Sequence, residues 1–329
     1  MEFSSSSNFS LFKNNPTKKR QLSTFEAFNI FNALQTRYVS MCQYNFLLNF
    51  IHDKDFTLLA RENLNDINKQ IIQLEKRGEK FNLCAPQRPP KEVNIKEKVS
   101  KYLGDKQIFQ ILNSVNYYLL SHLINCIIQT TVNDSLREMF IDFTFTTLKN
   151  INRLIEYGKL KNWMVTEPVI KQTGNKEKEK IAAGEAASLW EHIYIRYDHL
   201  EITKSYLDFI HDPEFKKIVK KGQSELQRQV EQLEKKALEN GLSLPERPPA
   251  YNKSKEEPEF IKDKFIFRTI FRGVKNSTYL HINAITICNK NDNLRKHFFG
   301  LLKEELNIFD SFLRYGKMKG WVHLPPMFE

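Results

Sequence analysis

Glycine and proline are scarce in this chain, 11 and 12 among 329 residues, and cysteine scarcer still at four. So few turn-forming residues count against a strand-and-turn fold and favour long helices. Cys42, Cys84, Cys126 and Cys288 form no Cys-x-x-Cys pair and do not recur between the two halves of the chain. That dispersion excludes a disulfide scaffold and a zinc knuckle, and reduced thiols are expected. No window offers the ~18 unbroken apolar residues of a membrane span; even Tyr117 to Ile128 is interrupted by Ser121, His122 and Asn125. Residues 1–20 hold serines and the basic run Lys18, Lys19, Arg20 but no apolar core of signal-peptide length. They read as a disordered tail on a cytoplasmic protein without a membrane partner. A Gly-rich phosphate loop and a Ser/His/Asp arrangement are absent as well, so the chain is not read as an enzyme.

Charge is the first positive feature. Lys+Arg number 50 against 39 Asp+Glu, a formal +11, which would suit an acidic partner. The excess is mostly lysine spread over both halves, without a concentrated patch. Nucleic-acid binding is therefore not expected beyond weak association, and a protein partner or self-association is the more natural role for the surface.

The dominant feature is repetition. Tyr157-Gly158-Lys159-Leu160-Lys161-Asn162-Trp163 returns as Tyr315-Gly316-Lys317-Met318-Lys319-Gly320-Trp321. Phe50-Ile51-His52-Asp53 and Arg88-Pro89-Pro90 return 159 residues on, and Asp105-Lys106 and Asn133-Asp134 return 158 on. One deletion thus falls in the proline-bearing loop, where length changes are tolerated. Residues 21–169 and 181–329 are two copies of one domain. The apolar-free stretch Lys171 to Lys180 marks the linker, at 170–180.

Each copy carries four helical stretches. In the second of them Phe56, Leu59, Asn63, Ile67, Ile71 and Leu74 make an apolar stripe broken once, and its counterpart runs Phe215, Ile218, Gly222, Leu226, Gln229, Leu233. Asp212-Pro213-Glu214 is a helix start, and Asp134 and Asp292 are expected to cap the fourth helices. Gly158 and Gly316 are expected to stop those helices, with Trp163 and Trp321 plugging the bundle end. Short connections make the first and second, and the third and fourth, helices antiparallel. The loop Phe81 to Asp105 can span ~65 Å against ~40 Å for a 26-residue helix. The fold class that follows is all-α: two tandem four-helix bundles, each ferritin-like with a long crossover between its second and third helices.

The series Glu-Ala-x-x-x-[Phe/Trp] (Glu26 to Phe31, Glu185 to Trp190), His-Asp, Arg-Pro-Pro, Asn-Asp-x-Leu-Arg and Tyr-Gly-Lys-x-Lys-x-Trp resembles a bacterial (Firmicutes) ferritin-like family, domain of unknown function 3231. The resemblance covers both copies. It implies tandem ferritin-like units and a setting in spore-forming bacteria, hence a structural or interaction protein associated with sporulation. It implies no activity and no site residues.

Ferritin-like di-metal centres draw on Glu-x-x-His pairs, which place two ligands on one helix face. This chain has none. Its first copy offers His122, beside Cys126, and has Thr147 where the second copy has Glu305. The second copy is richer: Glu185, His192 and His199 lie seven apart, and His281 and Glu305 lie at core-type positions. Two readings stand side by side. In one, the first-helix stripe is solvated, His281 is a neutral core histidine bonded to a carbonyl, Glu305 points to the rim, and no cofactor is held. In the other, His199, His281 and Glu305 converge as a small-ligand site or hold a single transition-metal ion. Glu26 with Arg37, and Glu185 with Arg196, read as ion pairs to neighbouring helices.

Overall fold

The computed structural model describes residues 22–89, 104–164, 180–248 and 262–328. The tail expected at 1–20, most of each long loop, and all but the last residue of the expected linker lie outside the described residues. Eight helices follow in order: α1 (Thr24–Leu47), α2 (Lys54–Lys80), α3 (Asp105–Gln129), α4 (Asp134–Leu160), α5 (Ala183–Phe209), α6 (Pro213–Glu239), α7 (Asp263–Ile287) and α8 (Asp292–Met318). The chain is all-α, and its helices pack as two four-helix bundles, α1–α4 and α5–α8.

Local chemistry sets the helix starts. Asp53 and Asp212 accept hydrogen bonds from the N–H groups of the second and third residues of α2 and α6, Asp55 and Phe56 or Glu214 and Phe215, at 2.9 to 3.0 Å, and Pro213 occupies the first position of α6, where its missing N–H costs nothing. The fourth helices start differently from the sequence expectation. Asn133 and Asn291 are the caps, accepting from the N–H of Leu136 at 3.0 Å and Leu294 at 2.8 Å. Asp134 and Asp292 sit one residue inside and pair with the buried Arg137 and Arg295.

Helix ends bring a second correction. Gly158 and Gly316 lie inside α4 and α8, not past their ends. The residues with positive φ are Asn162 (56°) and Gly320 (68°), and Trp163 N–H donates back to Gly158 O at 2.8 Å, as Trp321 does to Gly316 O at 2.9 Å. These are Schellman endings. The glycines are required for another reason: a Cβ on Gly158 would lie 2.3 Å from Phe109 Cζ, and one on Gly316 2.1 Å from Phe267 Cζ. The tryptophans do close the bundle end. Trp163 meets Phe56 at 5.2 Å and Tyr157 at 5.7 Å between ring centroids, and Trp321 meets Phe215 and Tyr315 at 5.2 and 5.8 Å.

Buried polar contacts give the helix directions. Glu26, fully buried at the start of α1, accepts from the N–H groups of Val132 and Asn133 between α3 and α4, and from Ser23 N–H. Asp105, opening α3, accepts from His52 and Asp53 N–H just before α2. Hence α2 and α3 start at the same end of the bundle, α1 runs antiparallel to both, and one long connection joins two hairpins, the ferritin-like connectivity. Glu185 and Asp263 repeat both contacts in α5–α8. Of the ion pairs to neighbouring helices expected of these residues, that of Arg196 forms, with Glu305 of α8, whereas Glu26 and Glu185 serve as backbone caps.

Two further points concern the chain's ends and its most apolar helix. Leu324–Glu329 is grouped with α1–α4 instead of α5–α8: Thr24 N–H donates to Pro326 O at 2.9 Å and Phe328 N–H to Leu22 O at 2.7 Å. Among the described residues α3 alone has the length and apolar content of a membrane span, and half of that window is buried in the bundle.

Candidate functional site

The two bundles use their interiors differently. At equivalent positions on α1 and α5 each carries a fully buried arginine, Arg37 and Arg196. In α1–α4 the Arg37 Nε donates to Gln70 at 3.0 Å and Nη1 to Ala33 O at 3.4 Å, its plane lies 5.7 Å from the Phe143 ring, and Nη2 has no partner. Burial lowers its pKa to about 10. Beside it Tyr44 fills the middle of the core, its hydroxyl accepting from Asn116 at 2.7 Å and Asn63 at 3.4 Å, with all three side chains buried.

In α5–α8 the arginine has a carboxylate and histidines instead. Arg196 Nη2 donates to Glu305 at 2.7 Å and to His281 Nε2 at 3.0 Å; Nη1 donates to Ser277 at 3.0 Å and to His199 Nδ1 at 3.4 Å. Because guanidinium only donates, the histidine tautomers follow in sequence. His281 accepts at Nε2, so its proton is on Nδ1, which lies 3.1 Å from His192 Nε2; His192 in turn donates from Nδ1 to Ser188 O at 2.7 Å. Both rings are neutral, and burial holds their pKa values below the ordinary histidine value. Burial alone would push Glu305 up, but the Arg196 charge outweighs it and brings its pKa to about 2.

His199, His281 and Glu305 are thus brought into one cluster, with Arg196 at its centre. The cation these donors face is the guanidinium. Among the described residues no three His, Cys, Asp or Glu side chains converge in a way that could hold a metal ion. Other sequence expectations are revised. His281 bonds to His192 and Arg196, not to a carbonyl; Glu305 is 3% exposed, not at the rim; and His192 is buried, not solvated. In the first bundle His122 and Cys126 do meet, at 3.6 Å, and burial pushes that thiol up to about 12.

Against the Arg196 cluster lies a cavity of about 300 Å³. Arg196, His199, Ser277 and Glu305 form its polar end, and Ile202, Val219, Leu226, Val274, Ile308 and Phe312 its apolar walls. Ile202, Lys221, Arg272 and Asn276, on α5, α6 and α7, are exposed among the lining residues, so the cavity opens to solvent. The cavity's origin is visible residue by residue. Where α1–α4 has Tyr44, Asn63, Val115 and Leu119, α5–α8 has Thr203, Gly222, Gly273 and Ser277. Phe309 and Phe312, in place of Ile151 and Leu154, take back part of the volume. A Cβ on Gly222 would meet nothing within 4 Å, and one on Gly273 would only touch His199 Nε2 at 4.0 Å. Sequence reasoning singled out the ionisable residues and missed this set; the signal was present in the aligned copies as four successive large-to-small differences.

These features define an all-α protein of two four-helix bundles, the second with a cavity beside a buried ion pair. Residues 170–329 match the family described as "Protein of unknown function (DUF3231)". No curated protein matches the chain. A crystal structure described as that of a candidate spore coat protein from Bacillus halodurans C-125 is similar at 18% identity, covering 46% of this chain and 98% of its own, with a TM-score of 0.42.

Proposed function

We propose that the chain is a non-catalytic binding protein whose second bundle holds a small apolar molecule, the first bundle being its filled structural counterpart. The single observation that supports this is the cavity. Interiors are close-packed, and truncating core side chains without filling the space forfeits their packing. A sequence that carries such a defect while its own first half shows how to fill it is best explained by an occupant. The two best-connected histidines are neutral, face each other and Arg196, and stand outside the cavity lining, which suits binding better than proton transfer. The family resemblance supports a setting in spore-forming bacteria, in the cytoplasm or on the spore.

The test is titration with a neutral apolar fluorophore, N-phenyl-1-naphthylamine. One equivalent per chain is expected to bind to the unaltered protein. The variant Thr203→Tyr/Gly222→Asn/Gly273→Val, built from the first bundle's own residues, is expected to lose that binding and to melt at a higher temperature. Absence of binding to the unaltered protein would overturn the proposal. So would a tightly held stoichiometric transition metal lost on His281→Ala, which would favour the metal reading of His199, His281 and Glu305.

A further inference from the structure

The polar end of the cavity specifies the head group of its occupant. We propose that the ligand is an uncharged amphiphile, an apolar chain ending in one hydroxyl-type group that both accepts and donates a hydrogen bond; this rests on the ligand-binding reading above. Charge is the first discriminator. Arg196 and Glu305 neutralise each other at 2.7 Å. An anionic head would be set against the Glu305 carboxylate and a cationic head against the Arg196 guanidinium. At this inner end either would lose hydration without gaining a free counter-ion.

Hydrogen-bonding capacity is the second. All four terminal N–H directions of Arg196 are engaged, by Glu305, His281, Ser277 and His199. His199 receives its bond at Nδ1, so the neutral ring carries its proton on Nε2, the atom that would sit 4.0 Å from a Cβ on Gly273 and hence on the cavity side. No described residue accepts that proton. Glu305 is bonded through Oε2, and its other oxygen receives no hydrogen bond from a described residue. The inner end therefore presents a donor at His199 and an acceptor at Glu305, beside the Thr203 and Ser277 hydroxyls, in a mostly apolar space whose other charged groups include Lys221, Glu225 and Arg272. A hydroxyl satisfies both, whereas a carbonyl or ether oxygen only accepts. The volume, about 300 Å³, is at the small end of known ligand sites.

The experiment compares four eight-carbon probes with different heads, each displacing N-phenyl-1-naphthylamine from the full chain: octane, 1-octanol, octanoate and octylammonium. An unpaired hydroxyl carried into an apolar site lowers affinity by roughly tenfold or more. Here 1-octanol is expected to bind at least as tightly as octane, and both charged probes more weakly. His199→Leu, at a position where the first bundle has Ser40, should weaken 1-octanol about tenfold while leaving octane unchanged. If 1-octanol falls tenfold below octane in the unaltered protein, the head-group inference fails and the ligand-binding reading stands. Octanoate binding most tightly would also overturn it and would move recognition to Lys221 and Arg272 in the cavity lining. Failure of the fluorophore and of all four probes would overturn both.

Discussion

A buried guanidinium must be satisfied, and the two copies solve the same problem with different residues. Arg37 relies on a glutamine, a carbonyl and an aromatic face, whereas Arg196 relies on Glu305 and the His281–His192 pair. In the second case the glutamate is not dispensable. Removing one partner of a buried pair leaves an uncompensated charge, a loss of about 3–5 kcal/mol, while replacing both with apolar groups is often neutral or stabilising. Glu305→Ala should therefore lower the stability of the second bundle by that amount in denaturant unfolding. Arg196→Met/Glu305→Met should recover most of it. A double variant no more stable than Glu305→Ala would show that the pair is not the source of the loss.

Among the elements, α4 and α8 carry the closest constraint, because their last turns are clasped against α3 and α7. The absent Cβ of Gly158 leaves room for the Phe109 ring, which is itself held between Phe56 and Trp163 at 6.3 and 5.9 Å. Alanine is the better helix former by about 1 kcal/mol, so on an unconstrained helix Gly→Ala would stabilise. Here overpacking should outweigh that gain. Gly158→Ala and Gly316→Ala are each expected to destabilise by about 1–3 kcal/mol, read as a lower melting temperature of the corresponding bundle. An unchanged or higher melting temperature would mean that the Phe109 and Phe267 rings move aside at little cost.

At the scale of the whole molecule the bundles should differ in acid sensitivity. Burial holds His192, His199, His281 and His297 in α5–α8 below the ordinary value, to about 4 for His199 and His297, while α1–α4 has only His122 so lowered, also to about 4. A base whose folded pKa is depressed binds fewer protons folded than unfolded across that interval. Stability contributed by these groups is thus complete above about 6.5 and declines as pH falls toward about 4. Glu305, lowered to about 2, begins to withdraw its share only below the ordinary carboxylate value. Thermal unfolding at pH 7 and pH 4.5 should show the second bundle losing more stability than the first. Trp163→Phe leaves the signal of Trp190 and Trp321 in the second bundle; replacing those two leaves Trp163 in the first. Equal losses in both bundles would contradict the assignment.

The amino-acid sequence by itself determined the duplication, the eight helices and their pairing, because these depend on local periodicity, capping chemistry and loop reach. The α2 boundaries at Lys54 and Lys80, the Asp212-Pro213 start of α6 and the tryptophan plugs were all legible from short-range pattern. Tertiary structure alone decided what the polar interior residues do. Glu26 and Arg37 share a helix face and read as ion pairs to neighbouring helices, yet the turn after α3 brings backbone N–H groups to one and α2 brings Gln70 to the other. His199, His281 and Glu305 look like metal ligands until Arg196 is seen among them. A cavity belongs to no residue: it exists because Thr203, Gly222, Gly273 and Ser277, from three helices and each unremarkable alone, face the same point, and that convergence is set by packing across the bundle.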